Sequence, residues 1–153
     1  MSLEWKWAEQ SDIGTLVRTR IQVLRAANHL PDDADLSLVE EQSRAYYQVC
    51  WADHAALLVY DGENVVGTGG VSFYRVMPTC CNPSGQKAYI MNMYTVPEYR
   101  RQGIAAKTLD MLVQECHRRG VDFISLEATA AGRPLYEKHG FVSMQDEMIL
   151  MEV

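Results

Sequence analysis

The sequence predicts a mixed α/β fold in which helices flank both faces of one central sheet. Short runs with strand character at 3–7, 55–60, 65–74, 88–96 and 121–127 alternate with stretches of helical period. The three middle runs are separated by loops of hairpin length, which excludes a doubly wound nucleotide fold because that needs crossover helices. The run from Ala88 to Val96 is nearly continuously apolar, as a central strand requires when both of its faces are covered. At 153 residues the chain fits one domain over 1–153, large enough to bury about 68–70% of the surface of its unfolded form.

The elements follow in order. Leu3, Trp5 and Trp7 alternate with Glu4 and Lys6, the period of a half-buried strand. Ser11 offers an N-cap to a helix whose inner face carries Ile13, Leu16, Val17, Ile21 and Leu24, and Asn28 to Pro31 stops it. An acidic loop holds Asp32, Asp33 and Asp35. Ser37 with Glu40 reads as a capping box opening a helix that runs to about Cys50. Ala55–Tyr60 and Val65–Tyr74 form two strands around a turn at 61–64. Gly67, Gly69 and Gly70 predict a bulge or a close backbone approach in the second of them. After a loop from Pro78 to Gly85 and the central strand, Ile104, Thr108, Leu109, Leu112, Val113 and Cys116 line one helical stripe, which ends at Gly120. Val121–Glu127 reads as a strand, Ala131–His139 as a short helix, and Phe141–Glu152 as a closing strand.

Composition narrows the function. There are 14 basic against 20 acidic side chains, a net charge of −6, with no long Lys/Arg block; this argues against nucleic-acid binding. The charge is uneven: residues 1–66 hold five basic and eleven acidic side chains, whereas 100–138 hold seven and five. Met1 to Ala8 lacks the apolar region of a signal peptide, and the longest apolar stretch, Ala55 to Tyr60, is too short to span a bilayer. Cys50, Cys80, Cys81 and Cys116 match no zinc or redox spacing, and His29, His54, His117 and His139 form no ligand pair, so no metal is expected. Reduced thiols and the missing leader give a cytoplasmic expectation without membrane attachment.

The segment from Tyr94 to Ala106 carries the chemistry. An apolar strand enters a short loop, then Arg100, Arg101, Gln102 and Gly103, then a helix opening at Ile104. A helix N-terminus leaves backbone N–H groups unpaired and partly positive, and a glycine there lets a bulky anion approach. The residues fit a phosphate or pyrophosphate site, or equally a solvated Arg-Arg pair at an ordinary helix start. The Walker and dinucleotide spacings are both absent.

A second element follows in order, Leu135-Tyr136-Glu137-Lys138-His139-Gly140-Phe141. Together with Arg100 to Ala105, which fits R-x-x-G-x-G/A with alanine last, it resembles the GNAT superfamily of N-acetyltransferases. The specific match spans about 88–142. The resemblance implies a mostly antiparallel sheet with one splayed parallel pair, and an acyltransferase that moves groups other than amino-acyl groups. It implies acetyl-coenzyme A as donor, held by Met93, Tyr94, Thr95 and Val96 on the strand and by Arg100, Arg101, Gln102, Gly103, Ile104, Ala105 and Ala106 at the helix. Thr129, where many members carry Asn, and Gly132 would flank the same molecule. Tyr136 takes the position that protonates the departing thiolate, with Asn92 orienting the amine or a water and Glu127 a candidate base. An amine would attack directly in a ternary complex. The resemblance also implies pairing of two copies through sheet edges or exposed helices.

The acceptor, a small-molecule or peptide amine, is not named by these motifs. Asp32, Asp33, Asp35, Glu40 and Glu41 could attract a cationic amine or serve only as solvated loop and capping carboxylates, whereas Arg18, Arg20 and Arg25 could receive a carboxylate. The acidity of residues 1–66 favours the cation. Tyr46, Tyr47 and Trp51 serve either core packing or a pocket wall. A non-catalytic acyl-coenzyme A module and an unrelated phosphate-binding protein are the alternatives.

Overall fold

The computed structural model describes residues 2–151. Strand β1 (Leu3–Trp7) precedes a 3-10 turn and helix α1 (Ile13–Ala27), then α2 (Ser37–Val49). Strands β2 (His54–Asp61), β3 (Asn64–Arg75) and β4 (Gln86–Thr95) follow, then α3 (Ile104–Arg118), β5 (Phe123–Leu126) and α4 (Arg133–His139). The sheet order is β1-β2-β3-β4-β5, antiparallel except where β5 runs parallel to β4. This is the mixed sheet with one parallel pair that the sequence predicts.

Side-chain alternation along β2 decides how the layers close. Leu57 faces α3 and packs with Leu109, Leu112 and Cys116, while Ala56 and Leu58 face the other way onto Leu16, Val17 and Tyr47 of α1 and α2. Both faces are therefore apolar and covered, and truncating one of these leucines to alanine costs about 2–5 kcal/mol. The inner stripe of α3 is as read from the sequence, with Ile104, Thr108, Leu109, Leu112 and Cys116 all buried. Thr108 escapes an unsatisfied hydroxyl by donating to the Ile104 carbonyl (2.8 Å) and accepting the Trp5 indole N–H (3.0 Å).

Gly69 explains how closely α3 lies on the sheet. A Cβ there would stand 2.6 Å from the Met93 sulfur and 2.8 Å from Thr108 Cγ2, so only glycine fits. Of the two expectations for the glycines, the close approach is what Gly69 shows; the β3–β4 register also shifts between Thr68 and Gly70, which face Tyr94 and Met91. The extra residue lies on β4, where Asn92 adopts φ +61°.

Several sequence expectations are corrected at element ends. Ser11 does not cap α1; Asp12 stands there, its carboxylate accepting the Glu9 N–H (2.8 Å). The expected Ser37–Glu40 box is replaced by the Asp35 carboxylate, which accepts the Ser37 N–H (2.9 Å). The Ser37 side chain, and then this N–H, hold the Asp35 carboxyl below its ordinary range. On α1 it is Thr19 and Val23, rather than Ile21 and Leu24, that are fully buried beside Leu16 and Val17. The fifth strand is shorter than 121–127, because Val121 N–H still bonds the Cys116 carbonyl (2.9 Å) and so belongs to the helix exit. No strand forms over the described residues after Phe141. Strand propensity needs a neighbour to pair with, and Val142, Met148, Ile149 and Leu150 stand exposed instead; Glu152, the end of that expected strand, lies outside the described residues.

Candidate active site

The loop between β4 and α3 is shaped by two residues in the left-handed region, Arg101 at φ +64° and Gly103 at φ +81°. Gly103 is the helix N-cap and supplies no side chain to the exposed donors of the first turn. The first helical N–H to find a carbonyl is that of Lys107, which bonds Gly103 (3.1 Å). Among the described residues the N–H groups of 101–106 have no backbone acceptor. A Cβ built on Gly103 meets nothing within 4 Å, so the space in front of these donors is open. Gln102 and Ala106 are exposed, Ala105 is half-buried, and Ile104 plugs the first turn into Val59 and Val66. The rigid anchor and the open N–H face together make a cradle for a polyanion.

The Arg100 side chain is not directed into that cradle. Its Nε donates to the Thr95 carbonyl (2.9 Å) and its guanidinium lies 5.7 Å from the Tyr94 ring centroid, so it braces the loop against the strand. Val96 is tied to β3, its N–H donating to the Val66 carbonyl (2.9 Å).

β4 and β5 pair only from Lys87–Phe123 to Ile90–Leu126. β5 ends there, so the edge of β4 through Asn92, Met93, Tyr94 and Thr95 has no strand on that side among the described residues, while its other edge stays paired with β3. The bulge falls in this stretch. The free edge leads directly into the cradle, and such an edge can take an extended ligand by main-chain bonds.

Tyr136 on α4 is 8% exposed, and burial raises its hydroxyl pKa, so it holds its proton at neutral pH. Its ring packs edge-on to Phe141 (6.1 Å) and over Gly132, where a Cβ would meet Tyr136 Cε2 at 3.2 Å. Tyr136 and Glu127 line one cavity of about 300 Å³ at the end of β5. Glu127 is exposed and stands near Tyr89, whose pKa is raised by burial and then by the Glu127 charge. Thr129 is engaged locally: its Oγ1 accepts the Gly132 N–H (3.1 Å) and its carbonyl accepts the Arg133 N–H (2.9 Å).

Asn92 lines a different cavity, of about 480 Å³, between α1–α2 and the sheet. Its Oδ1 accepts a bond from Arg20 Nη1 (3.0 Å). Of the three arginines on α1, Arg18 bonds Thr15 and Arg25 bonds the Pro31 and Ala34 carbonyls, so Arg20 alone reaches this cavity. The acidic residues of the N-terminal half do not: the cavity lining contains no Asp or Glu. Asp12 and Asp35 cap helices, and Asp61 accepts the Tyr99 hydroxyl. The acidity that led to the expectation of a cationic acceptor is thus not gathered around this cavity.

Tyr46 and Tyr47 prove to be both core and wall. Tyr46 shares a 2.6 Å hydrogen bond with Ser72, and Tyr47 packs on α1 while facing the cavity. His54 enters the sequence analysis only through its lack of metal-ligand spacing, yet it belongs to this site. It is 6% exposed, lies 4.5–5.9 Å from the rings of Trp51, Tyr47 and Tyr46, and lines the same cavity. Its Nε2 is buried with no hydrogen-bond partner among the described residues. Burial, and then the Arg119 charge, lower its pKa, so the ring is neutral. A histidine at the start of an apolar strand was the available signal. No group of three His, Cys, Asp or Glu side chains able to hold a metal occurs among the described residues, nor any helix long and apolar enough to cross a membrane.

Comparison with known proteins bears on these features. Residues 24–141 match the family model described as acetyltransferase (GNAT). A search of curated proteins finds no match. Among solved structures, a predicted acetyltransferase from Clostridium acetobutylicum, solved with acetyl-CoA, is 29% identical, with a TM-score of 0.88 over 98% of this chain and 96% of that one. A GCN5-related N-acetyltransferase from Ralstonia eutropha is 23% identical (TM-score 0.83; 99% of both chains). The glucosamine-6-phosphate N-acetyltransferase of Arabidopsis thaliana is 15% identical (TM-score 0.72; 99% of both chains). The last two likenesses are of fold.

Proposed function

The chain belongs to the acetyltransferase (GNAT) family, and from that premise we propose that it moves an acetyl group from acetyl-coenzyme A to a primary amine by direct attack in a ternary complex. The observation that carries this reading is the open N–H cradle at the α3 N-terminus, reached directly from the stretch of β4 that β5 leaves unpaired beyond Ile90. A pyrophosphate fits the cradle because the space a Cβ would fill at Gly103 is free and its donors are unspent. The free edge of Met93 and Thr95 suits an amide-bearing arm.

Bound there, acetyl-coenzyme A supplies a thioester whose carbonyl carbon takes the amine and whose sulfur leaves with the C–S electron pair. The chain's own residues do the rest. Cradle N–H groups hold the polyanion and fix its register. A β4 N–H beside the bulge offers a fixed dipole where negative charge develops on the carbonyl oxygen. Tyr136 keeps its proton at neutral pH and can hand it to the sulfur. Glu127 and Tyr136 share a cavity, whereas Asn92 sits on the Arg20 side, which divides the proposed residues between thiol departure and amine delivery.

The test is Tyr136→Phe, assayed by thiol release from acetyl-coenzyme A with an accepted amine and by calorimetry with coenzyme A. Loss of a general acid lowers kcat about 10²-fold or more, with donor affinity unchanged. Unchanged kcat removes Tyr136 from the mechanism. Donor binding without thiol release from any amine turns the reading into a non-catalytic acyl-coenzyme A module.

A further inference from the structure

The 480 Å³ cavity between α1–α2 and the sheet lies within the size range of small-molecule sites, about 300–1,000 Å³. Its rim is apolar and exposed: Leu38 is 68% accessible and Val39 and Met91 nearly 40% each. Three apolar side chains held in water around one opening is a surface that a ligand would cover. Inside, Arg20 is the one charged side chain of the lining, and its recorded side-chain bond is to the neutral Asn92 Oδ1. No salt bridge of the described residues involves it. A guanidinium sheltered by apolar walls without a carboxylate is incomplete, and its planar fork matches a carboxylate. The second unspent group is the buried Nε2 of His54.

Position adds what charge alone does not. Arg20 is bonded to the residue that forms the β4 bulge, one residue from Met93 and the open strand edge. An anion on Arg20 is thereby held on the side of β4 that faces the proposed thioester site. That arrangement suits an amine and a carboxylate carried on one small molecule.

Resting on the acetyl-transfer reading above, we infer that this cavity binds the acceptor, and that the acceptor is an α-amino acid with an apolar side chain. Its carboxylate bonds Arg20, its side chain lies among Val39, Tyr47 and Met91, and its amine turns toward the β4 edge. The N–C bond to the acetyl carbon forms, the C–S bond breaks, and the proton lost by the amine nitrogen is balanced by the one gained at sulfur. Polyamines and aminoglycosides lack the carboxylate for Arg20 and would find none in the wall for their own charges. Sugar phosphates would set hydroxyls against apolar side chains.

Thiol release is measured with L-leucine, L-methionine and L-phenylalanine against putrescine, kanamycin, glucosamine 6-phosphate and L-leucinamide, with calorimetry of acetyl-coenzyme A alongside. The apolar amino acids are expected to be the best substrates, with leucinamide poor. Arg20→Gln raises KM for L-leucine about 10- to 100-fold, the range for losing a charge-assisted bond, so that the preference for L-leucine over L-leucinamide falls with it, while KM for acetyl-coenzyme A is unchanged. Arg20→Lys recovers part of the loss. A general folding defect would weaken donor binding and lower both rates alike, leaving the preference intact. Preference for putrescine, kanamycin or the sugar phosphate overturns the amino-acid assignment and leaves acetyl transfer standing. Donor binding with no turnover of any amine overturns the assignment as well. Failure of acetyl-coenzyme A to bind overturns both readings.

Discussion

Gly103→Ala separates a ligand effect from a conformational one, because the chain contains its own control. Gly103 and Gly120 have almost the same backbone, φ +81° and +76°, and neither has a heavy atom within 4 Å of a built Cβ. An alanine in the left-handed region costs about 1–2 kcal/mol at either place. Chemical denaturation should therefore show similar losses for Gly103→Ala and Gly120→Ala. The two differ in what the added methyl group faces. Gly120 follows the C-terminus of α3, whereas Gly103 precedes its first turn, where the N–H groups of 101–106 have no backbone acceptor. Displacing one N–H from a phosphate oxygen forfeits about 1.5–3 kcal/mol, roughly 10- to 150-fold in affinity. Calorimetry with coenzyme A should thus show a loss of at least tenfold for Gly103→Ala and none for Gly120→Ala. Equal affinity in both variants would refute the placement of the pyrophosphate on this helix terminus. Unequal stability losses would refute the argument from backbone strain.

Two further outcomes bear on packing and pH. Gly69→Ala should destabilise the protein by about 1–3 kcal/mol, as overpacking does, since the new Cβ meets Met93, Thr108 and Leu112 at 2.6–3.0 Å; Gly70→Ala, with neighbours at 3.7 Å and beyond, is the comparison, and equal midpoints in urea would contradict the close seating of α3 on β3. His54 has a lowered pKa, so below about pH 6.5 the unfolded chain binds a proton that the folded chain refuses. Its contribution to stability is therefore lost as pH falls from about 6.5 toward the folded-state pKa. His54→Phe should flatten that part of the stability–pH curve, and an unchanged slope between pH 7 and pH 5 would show that the ring is not sheltered.

What could be read from the sequence was whatever repeats along a strand or helix or sits within a few residues of itself. The stripe of Ile104, Thr108, Leu109, Leu112 and Cys116 was legible because helical period alone places it. The loop from Arg100 to Ala106 was legible because a helix start and a glycine act locally. Arg20 was visible only as one of three arginines on α1; choosing it required knowing that Asn92 bulges out of β4 toward it. His54 was missed because its environment is assembled from Tyr46, Tyr47 and Trp51 by tertiary packing. The acidity of the N-terminal half could not be placed because net charge carries no direction: Asp12 and Asp35 bond nearby N–H groups and Asp61 takes the Tyr99 hydroxyl. The last strand was misread because an apolar run does not state whether an edge is available to receive it.

The short pairing of β5 leaves the two sides of the proposed donor site held by different forces. The cradle belongs to α3, wedged onto the sheet at Gly69 and plugged by Ile104. Tyr136 on α4 follows a four-residue strand that pairs with β4 along Lys87–Ile90 alone and is bordered by no further strand among the described residues. What holds its ring is side-chain packing, against Phe141 and in one buried cluster with Leu109 and Leu112. Backbone therefore sets the anion end and the core sets the hydroxyl end, so trimming Phe141 would displace the proton while leaving the pyrophosphate donors where they are.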